Sequence, residues 1–314
     1  GTKTVTSGNW SVYANGGYNY NQTLDSDNAY VTLVNVEDSA AGATIAGVAD
    51  MTSASSNADY SDSAMDIYTV YQGGAVADVT GGYSIKGAYY CWAKGNLLVQ
   101  VQGGSPTNVS GAGRAASHDT GYIVSRVDGN AGVVIEGDAK VQGSVAGGFY
   151  LYAVNNTYGQ ITSGVRLNKV NNAGANTSVL VKNVQDENTA TALTGEGYVI
   201  AGGCIDDTRN MYALVSGNSS VVVDIAAGQS GTFAKTIVGG PVRPFNNGNG
   251  SAPKVNGNSS VVISAPAEVT FAKPIIGGAY AYRAYAGVDG SSSVTINGGT
   301  YTSTICAGAN YHKL

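Results

Sequence analysis

Short segments in which apolar residues alternate with small polar residues recur along the chain. In the segment 293–297, Val294 and Ile296 alternate with polar residues, and Val261 and Ile263 hold the same places in an earlier copy. A period of two puts such residues on one face of a β-strand, because successive side chains point to opposite sides. The sequence shows no sustained i, i+3, i+4 apolar spacing with helix caps. We therefore predict an all-β protein.

These segments belong to an imperfect repeat. Each unit has a strand that resembles S-S-V-x-[VI], then a turn, then a second short strand that ends in Gly-Gly or other small residues. Equivalent valines are separated by 46, 42, 40 and 33 residues. Strands that persist while their spacing varies are typical of a solenoid with loops inserted on one face. The residues predicted to point inward are Val133, Ile135, Val179, Val181, Val221, Val223, Val261, Ile263, Val294 and Ile296.

The repeat predicts both the fold and the domain organisation. Equivalent strands that stack on one another form parallel ladders, so we expect a parallel β-helix, or β-solenoid, with irregular loop insertions. The Gly-Gly pairs fit its corners, where the backbone needs positive φ or a close approach. The repeats occupy residues 29–314, and residues 1–28 are expected to form an N-terminal cap or an irregular first unit.

Composition and charge narrow the class of partner. Only 12% of the residues are charged, whereas about 25% is usual. The net charge is −5 and the sequence has no basic stretch, so nucleic acid is not an expected partner. The sequence also lacks a run of about 18 apolar residues, so we expect no membrane-spanning segment. Cys91, Cys204 and Cys306 lie far apart without a C-x-x-C motif, and we interpret them as small buried apolar side chains.

The string from Ser293 to Tyr301, which reads S-V-T-I-N-G-G-T-Y and precedes a corner of small residues, resembles repeats in bacterial adhesin-like and autotransporter-passenger-like β-helix proteins. The resemblance implies a right-handed parallel β-helix that is exposed at a cell surface or secreted. It also implies a non-catalytic scaffold or adhesin that binds a glycan or a cell-surface protein. A repeat of this kind carries information about fold more than about function.

Aromatic residues recur just after the Gly-Gly corners, and they are our candidate binding residues. Tyr and Arg in loops suit contact with a glycan or a protein, because they provide area at little entropic cost. The alternative is structural, since tyrosine is a good strand residue and stacked tyrosines stabilise a solenoid. The residues concerned are Tyr150, Tyr152, Tyr280, Tyr282, Arg283 and Tyr285.

The end of the repeat array suggests a second function. The last unit ends near Gly308, and a solenoid normally needs a polar cap over its final unit. Thr304, Ile305 and Cys306 would then lie on an unpaired strand edge that can pair with another chain. The alternative function is therefore a structural protein that assembles with copies of itself, end to end, into filaments or a surface layer.

Enzymatic chemistry has weak support in the sequence. Parallel β-helices include pectate lyases and polygalacturonases, and Asp206 with Asp207 beside Arg209 is the best candidate for acid–base hydrolysis of a glycan. The Gly-His-Gly and Arg-x-Lys elements of polygalacturonase-like enzymes are missing, so we interpret the pair as a solvated turn. We expect no cofactor. The sequence leaves open a surface calcium ion at loop-like stretches, which contain Asp25, Asp27, Asp59, Asp62 and Asp66.

Overall fold

A computed structural model gives the three-dimensional structure of the chain. It describes residues 2–5, 29–33, 44–50, 67–84, 90–93, 96–116, 124–127, 129–152, 167–170, 175–186, 198–207, 212–243, 253–282 and 286–312. All the regular secondary structure of these residues is β-strand, and the strands pair in parallel. The all-β prediction and the prediction of parallel ladders are therefore confirmed.

The strands form three sheets. The first sheet has 10 strands. They are β1 (Thr2–Val5), β2 (Ala29–Leu33), β4 (Ile67–Tyr71), β7 (Leu97–Val101), β11 (Ala131–Ile135), β15 (Thr177–Val181), β19 (Ser219–Asp224), β20 (Gly231–Phe233), β24 (Ser259–Phe271) and β28 (Ser292–Tyr301). Each repeat unit supplies one long ladder strand, and β20 pairs with the far end of β24.

The second sheet has 14 strands, which lie on either side of the small-residue corners. They are β3 (Thr44–Asp50), β5 (Asp78–Ser84), β8 (Asn108–Ser110), β9 (Gly113–Ala116), β12 (Val145–Ala146), β13 (Phe149–Tyr152), β16 (Val199–Ala201), β17 (Ile205–Asp207), β21 (Thr236–Val238), β22 (Val242–Arg243), β25 (Ile275–Ile276), β26 (Tyr280–Tyr282), β29 (Ile305–Cys306) and β30 (Asn310–His312).

The third sheet has 6 strands, and the repeat pattern does not predict it. Its strands are β6 (Tyr90–Ala93), β10 (Val124–Val127), β14 (Leu167–Val170), β18 (Tyr212–Val215), β23 (Lys254–Val255) and β27 (Gly287–Val288). These strands are short, and two of them, β10 and β14, have polar and charged residues in mid-strand, so alternation alone does not mark them. The three sheets of stacked parallel strands are consistent with a β-solenoid.

The register confirms the equivalences that the repeat predicts. Val133 pairs with Val179, and Val221 pairs with Val261, which in turn pairs with Val294. From Val133 to Ile263 the predicted inward residues are at most 1% exposed. Val294 and Ile296 pack against the same core but are only partly buried, because they lie on the last unit.

The Gly-Gly corners bring neighbouring units too close for side chains. A Cβ on Gly202 would lie 2.4 Å from the carbonyl oxygen of Gly239, and one on Gly239 would lie 2.4 Å from that of Gly277. Backbone atoms at such a distance cannot move aside as a flexible side chain would. Glycine is therefore needed here for close approach, as the sequence pattern predicts.

Candidate functional site

An asparagine ladder runs along one edge of the first sheet, with one asparagine directly before each of the strands β7, β11, β15, β19 and β24. The side-chain Oδ1 of each asparagine accepts a hydrogen bond from the backbone N–H of the equivalent residue one unit later. The N–H of Asn258 donates to Asn218 over 2.7 Å, and that of Ser291 donates to Asn258 over 2.8 Å. The members are Asn96, Asn130, Asn176, Asn218 and Asn258, with Ser291 as the final donor.

Aromatic rings form a second column near the end of the chain. The ring centroids of Phe233 and Phe271 are 5.2 Å apart, and those of Phe271 and Tyr301 are 5.1 Å apart with an interplanar angle of 12°. Stacked aromatic pairs add to the stability that comes from area burial alone. Tyr301, in the last unit, is only partly buried.

The last unit, residues 286–312, forms an open edge of the stack. Its strands β27, β28, β29 and β30 each pair with a strand of the preceding unit, and no other described strand covers their outer sides. An uncovered edge strand presents backbone donors and acceptors that can pair with another chain.

The three candidate assembly residues lie on or beside this edge. Ile305 is 43% exposed, an unusual exposure for a large apolar side chain in the described part of the chain. Thr304 is exposed and Cys306 is partly buried. The backbone oxygens of Thr304 and Cys306 accept hydrogen bonds from the preceding unit, so one side of the strand is already paired.

Two of the candidate tyrosines, Tyr150 and Tyr280, are buried and do not form a surface patch. Tyr150 is 2% exposed and Tyr280 is 3% exposed, within an apolar cluster that also contains Ile205 and Val242. Buried rings offer little area to a partner, so these two positions fit the structural interpretation of the tyrosines. Of Tyr152 and Tyr282 only the strand position is described, and Arg283 and Tyr285 lie outside the described residues.

The interpretation of the aspartate pair as a solvated turn is wrong for Asp206, the candidate acid, which lies in strand β17 and is buried in the stack. Its side chain is 0% exposed, and its Oδ2 lies 3.9 Å from Nε of Arg243, which is itself 2% exposed. Among the described residues, Nε and Nη2 of Arg243 have no hydrogen-bond acceptor. A carboxylate in this position is shielded from a polymeric substrate in solvent. The side chain of Asp207, residue Arg209 and the five aspartates considered for calcium lie outside the described part of the structure.

The outer face of the first sheet carries two uncharged columns, which we call the serine–aliphatic face. The repeat motif explains both columns, because its second serine and middle aliphatic residue point away from the core. All of these side chains are partly or fully exposed. The columns consist of Ser178, Ser220, Ser260 and Ser293, and of Val134, Leu180, Val222 and Val262.

Cys204 is not a reactive thiol, and the described residues contain no cluster of metal ligands. Cys204 is fully buried, and this burial raises the pKa of its thiol to about 12, so the thiol is inert at neutral pH. Among the described residues, no group of three His, Cys, Asp or Glu side chains could hold a metal ion. Within the same residues, no helix has the length and apolar character to cross a membrane.

Comparison with known proteins does not assign this chain to a family. No family model, no curated protein and no solved structure matches this chain.

Proposed function

We propose that this protein is a non-catalytic extracellular scaffold of the adhesin type, built as a right-handed parallel β-helix. Connections between parallel strands of one sheet are almost always right-handed, which supports the handedness. The resemblance of the repeat to adhesin-like and autotransporter-passenger-like proteins supports the location. The partner is a glycan or a cell-surface protein.

The serine–aliphatic face is the observation that carries this proposal. Its columns repeat at the strand spacing of about 4.8 Å, and serine hydroxyls both donate and accept hydrogen bonds. Sugars combine hydroxyl groups with apolar C–H faces, which match a serine column beside an aliphatic column. A stack that is tied together by the core, the asparagine ladder and the aromatic column holds this face rigid.

A binding assay with a matched control tests the proposal. Fluorescently labelled protein is applied to a glycan array and to cultured cells, together with the variants Val222→Lys and Thr232→Lys. Val222 lies on the serine–aliphatic face, whereas Thr232 is an exposed strand residue of the same unit outside it. We expect Val222→Lys to lose binding and Thr232→Lys to keep it. Equal binding by both variants would contradict a role for the face.

A second assay, with its own pair of variants, tests the absence of catalysis. Product release from pectin, alginate or host glycans is measured for the wild type, for Asp207→Asn and for the control Asp224→Asn. Asp224 is exposed at the end of β19. Product release that Asp207→Asn abolishes and Asp224→Asn preserves would overturn the non-catalytic proposal.

The open edge favours a second candidate function, assembly with copies of the same chain. Hydrogen-bonding groups of four strands and the exposed Ile305 meet at one end of the stack. Copies joined at this end would form larger surface structures while the serine–aliphatic face stays accessible.

A further inference from the structure

The aliphatic column of the serine–aliphatic face is a narrow apolar strip that runs along the stack. Across the sheet the strip is one residue wide, because the outward positions two residues away carry polar side chains or glycine. Along the stack it is bounded by polar residues of the same register column, since Gln100 pairs with Val134 and Thr295 pairs with Val262. The strip therefore spans four consecutive units, those of Val134, Leu180, Val222 and Val262.

Hydrogen-bonding side chains flank this strip on both sides. The serine column lies on one side, and the outward residues Glu136, Lys182, Asp224 and Ser264 lie on the other. Among these side chains Lys182 is the one cation, and its Nζ lies 3.0 Å from Oε2 of Glu136. An anionic polymer would meet the exposed Asp224 and a lysine that is already paired. The charges therefore favour a neutral ligand.

The period of the strip discriminates between two kinds of extended partner. Neighbouring strands, and hence the side chains of one column, are about 4.8 Å apart. In an extended peptide the side chains that point to one side are about 6.7 Å apart. A peptide laid along the column would fall out of step after one or two units. A pyranose ring that is linked through equatorial bonds at opposite corners advances its chain by nearly one strand spacing, so the period favours a linear sugar chain.

Such a sugar chain also has chemistry that matches the strip and its flanks. The two flat faces of an equatorially substituted pyranose ring carry C–H groups, and its hydroxyl groups extend from the ring edges. Rings placed on the aliphatic column would remove C–H faces from water and direct hydroxyl groups to both polar flanks. Alternate rings of the chain are rotated by half a turn, and serine hydroxyls suit both orientations because they donate and accept.

We propose that the serine–aliphatic face binds a neutral β-1,4-linked polysaccharide that lies along the stack, with one sugar ring for each unit of the strip. This inference rests on the proposed function and specifies its ligand class. Each unit contributes a small part of the binding free energy. Affinity therefore depends on the length of the sugar chain, up to the length of the strip between Val134 and Val262.

Oligosaccharides of increasing length test this arrangement by titration calorimetry. The probes are neutral β-1,4-linked chains of glucose, xylose, mannose or N-acetylglucosamine, from disaccharide to hexasaccharide. In at least one series we expect affinity to rise about ten-fold or more from disaccharide to tetrasaccharide, which corresponds to about 1.4 kcal/mol, and to change little beyond. Absence of binding in every neutral series would overturn the proposal, as would an affinity that does not depend on length.

Two further oligosaccharides test the shape and the charge of the ligand. Maltohexaose has axial linkages that curve its chain away from a straight column, and a galacturonate hexamer is straighter but anionic. We expect both to bind at least about ten-fold more weakly than the neutral β-1,4-linked hexasaccharide of the best series. Equal or tighter binding by either would contradict a straight neutral ligand.

A matched pair of valine variants locates the binding surface. Val222 lies inside the strip, whereas Val70 is a partly exposed valine of the same register column on the far side of Gln100. We expect Val222→Ser to weaken hexasaccharide binding about ten-fold and to flatten the dependence on length, and Val70→Ser to change neither. Equal effects of the two substitutions would overturn the proposal, once circular dichroism has verified that both variants are folded.

Competition on cells separates this inference from the proposed function on which it rests. We expect the hexasaccharide of the best series, at saturating concentration, to displace the labelled protein from cells or from the glycan array. If Val222→Lys loses binding to cells but the hexasaccharide does not compete, the face binds a protein or another glycan. In that case the scaffold function stands and the ligand class is wrong. If the wild type binds neither cells nor any glycan, both proposals fail.

Discussion

Truncation of one core column in two neighbouring units tests whether the last unit is open. Ile263 and Ile296 are register partners, so Ile263→Ala and Ile296→Ala remove the same atoms from equivalent places. Ile263 is 0% exposed between two covering units, whereas Ile296 is partly buried with a neighbour on one side only.

The structure predicts different costs for these two substitutions. A fully buried isoleucine cut to alanine costs 2–5 kcal/mol, roughly, because the lost transfer free energy adds to that of the cavity left behind. We expect Ile263→Ala to lie in the upper half of this range. Ile296→Ala creates no closed cavity and loses less buried area, so we expect about 1–2 kcal/mol.

Urea unfolding followed by circular dichroism measures both values. A stack of repeats need not unfold in one step, so the curves are fitted with a nearest-neighbour model as well as a two-state model. The measurement is made at low protein concentration, so that copies of the chain do not associate during unfolding. Equal costs for the two substitutions under these conditions would refute the open edge.

Three further predictions concern the polar contacts. Asn218→Ala removes an acceptor from the backbone of the next unit, and we expect a loss of about 1 kcal/mol in urea unfolding; no loss would contradict a stabilising ladder. Asp206→Leu should destabilise by about 3–5 kcal/mol, and adding Arg243→Met should restore most of it; additive losses would exclude coupling in this double-mutant cycle. A hydrogen bond from Lys182 is the main cause that lowers the pKa of Glu136. The ionised Glu136 therefore stabilises the folded state fully above its unfolded-state pKa, and this stabilisation is lost as the pH falls through its folded-state pKa. Glu136→Gln should reduce the acid sensitivity of the unfolding midpoint, and an unchanged pH profile would contradict this.

The sequence predicts the first sheet well because its signal is local. Alternation in the S-S-V-x-[VI] segments identifies the strands, and the repeat identifies their partners, so the pairing of Val221 with Val261 follows from the repeat alone. The second sheet is marked by its small-residue corners. The third sheet escapes prediction because strands such as Leu167–Val170 have no clean alternation of apolar and polar residues.

The candidate sites are harder to predict, because the sequence does not show which side chains are buried by neighbouring units. Tyr150 is a candidate binding residue because it follows a Gly-Gly corner, yet the structure buries it among apolar residues of its own and neighbouring units. The asparagine ladder, by contrast, has a visible signal that lies just outside the strand motif. An asparagine directly precedes each of five ladder strands; these residues are Asn96, Asn130, Asn176, Asn218 and Asn258.

The asparagine ladder also resolves an ambiguity that the core leaves. A strand such as Ser219–Asp224 could slide by two residues along its neighbour and still place apolar side chains inward, because a shift of two preserves the faces. The core columns therefore determine which face is buried but discriminate weakly between registers. A shift of two would break the bond between each asparagine Oδ1 and the next backbone N–H. Hydrophobic burial thus supplies stability to this stack, while the ladder supplies a unique register, and units of different length can insert loops without losing either.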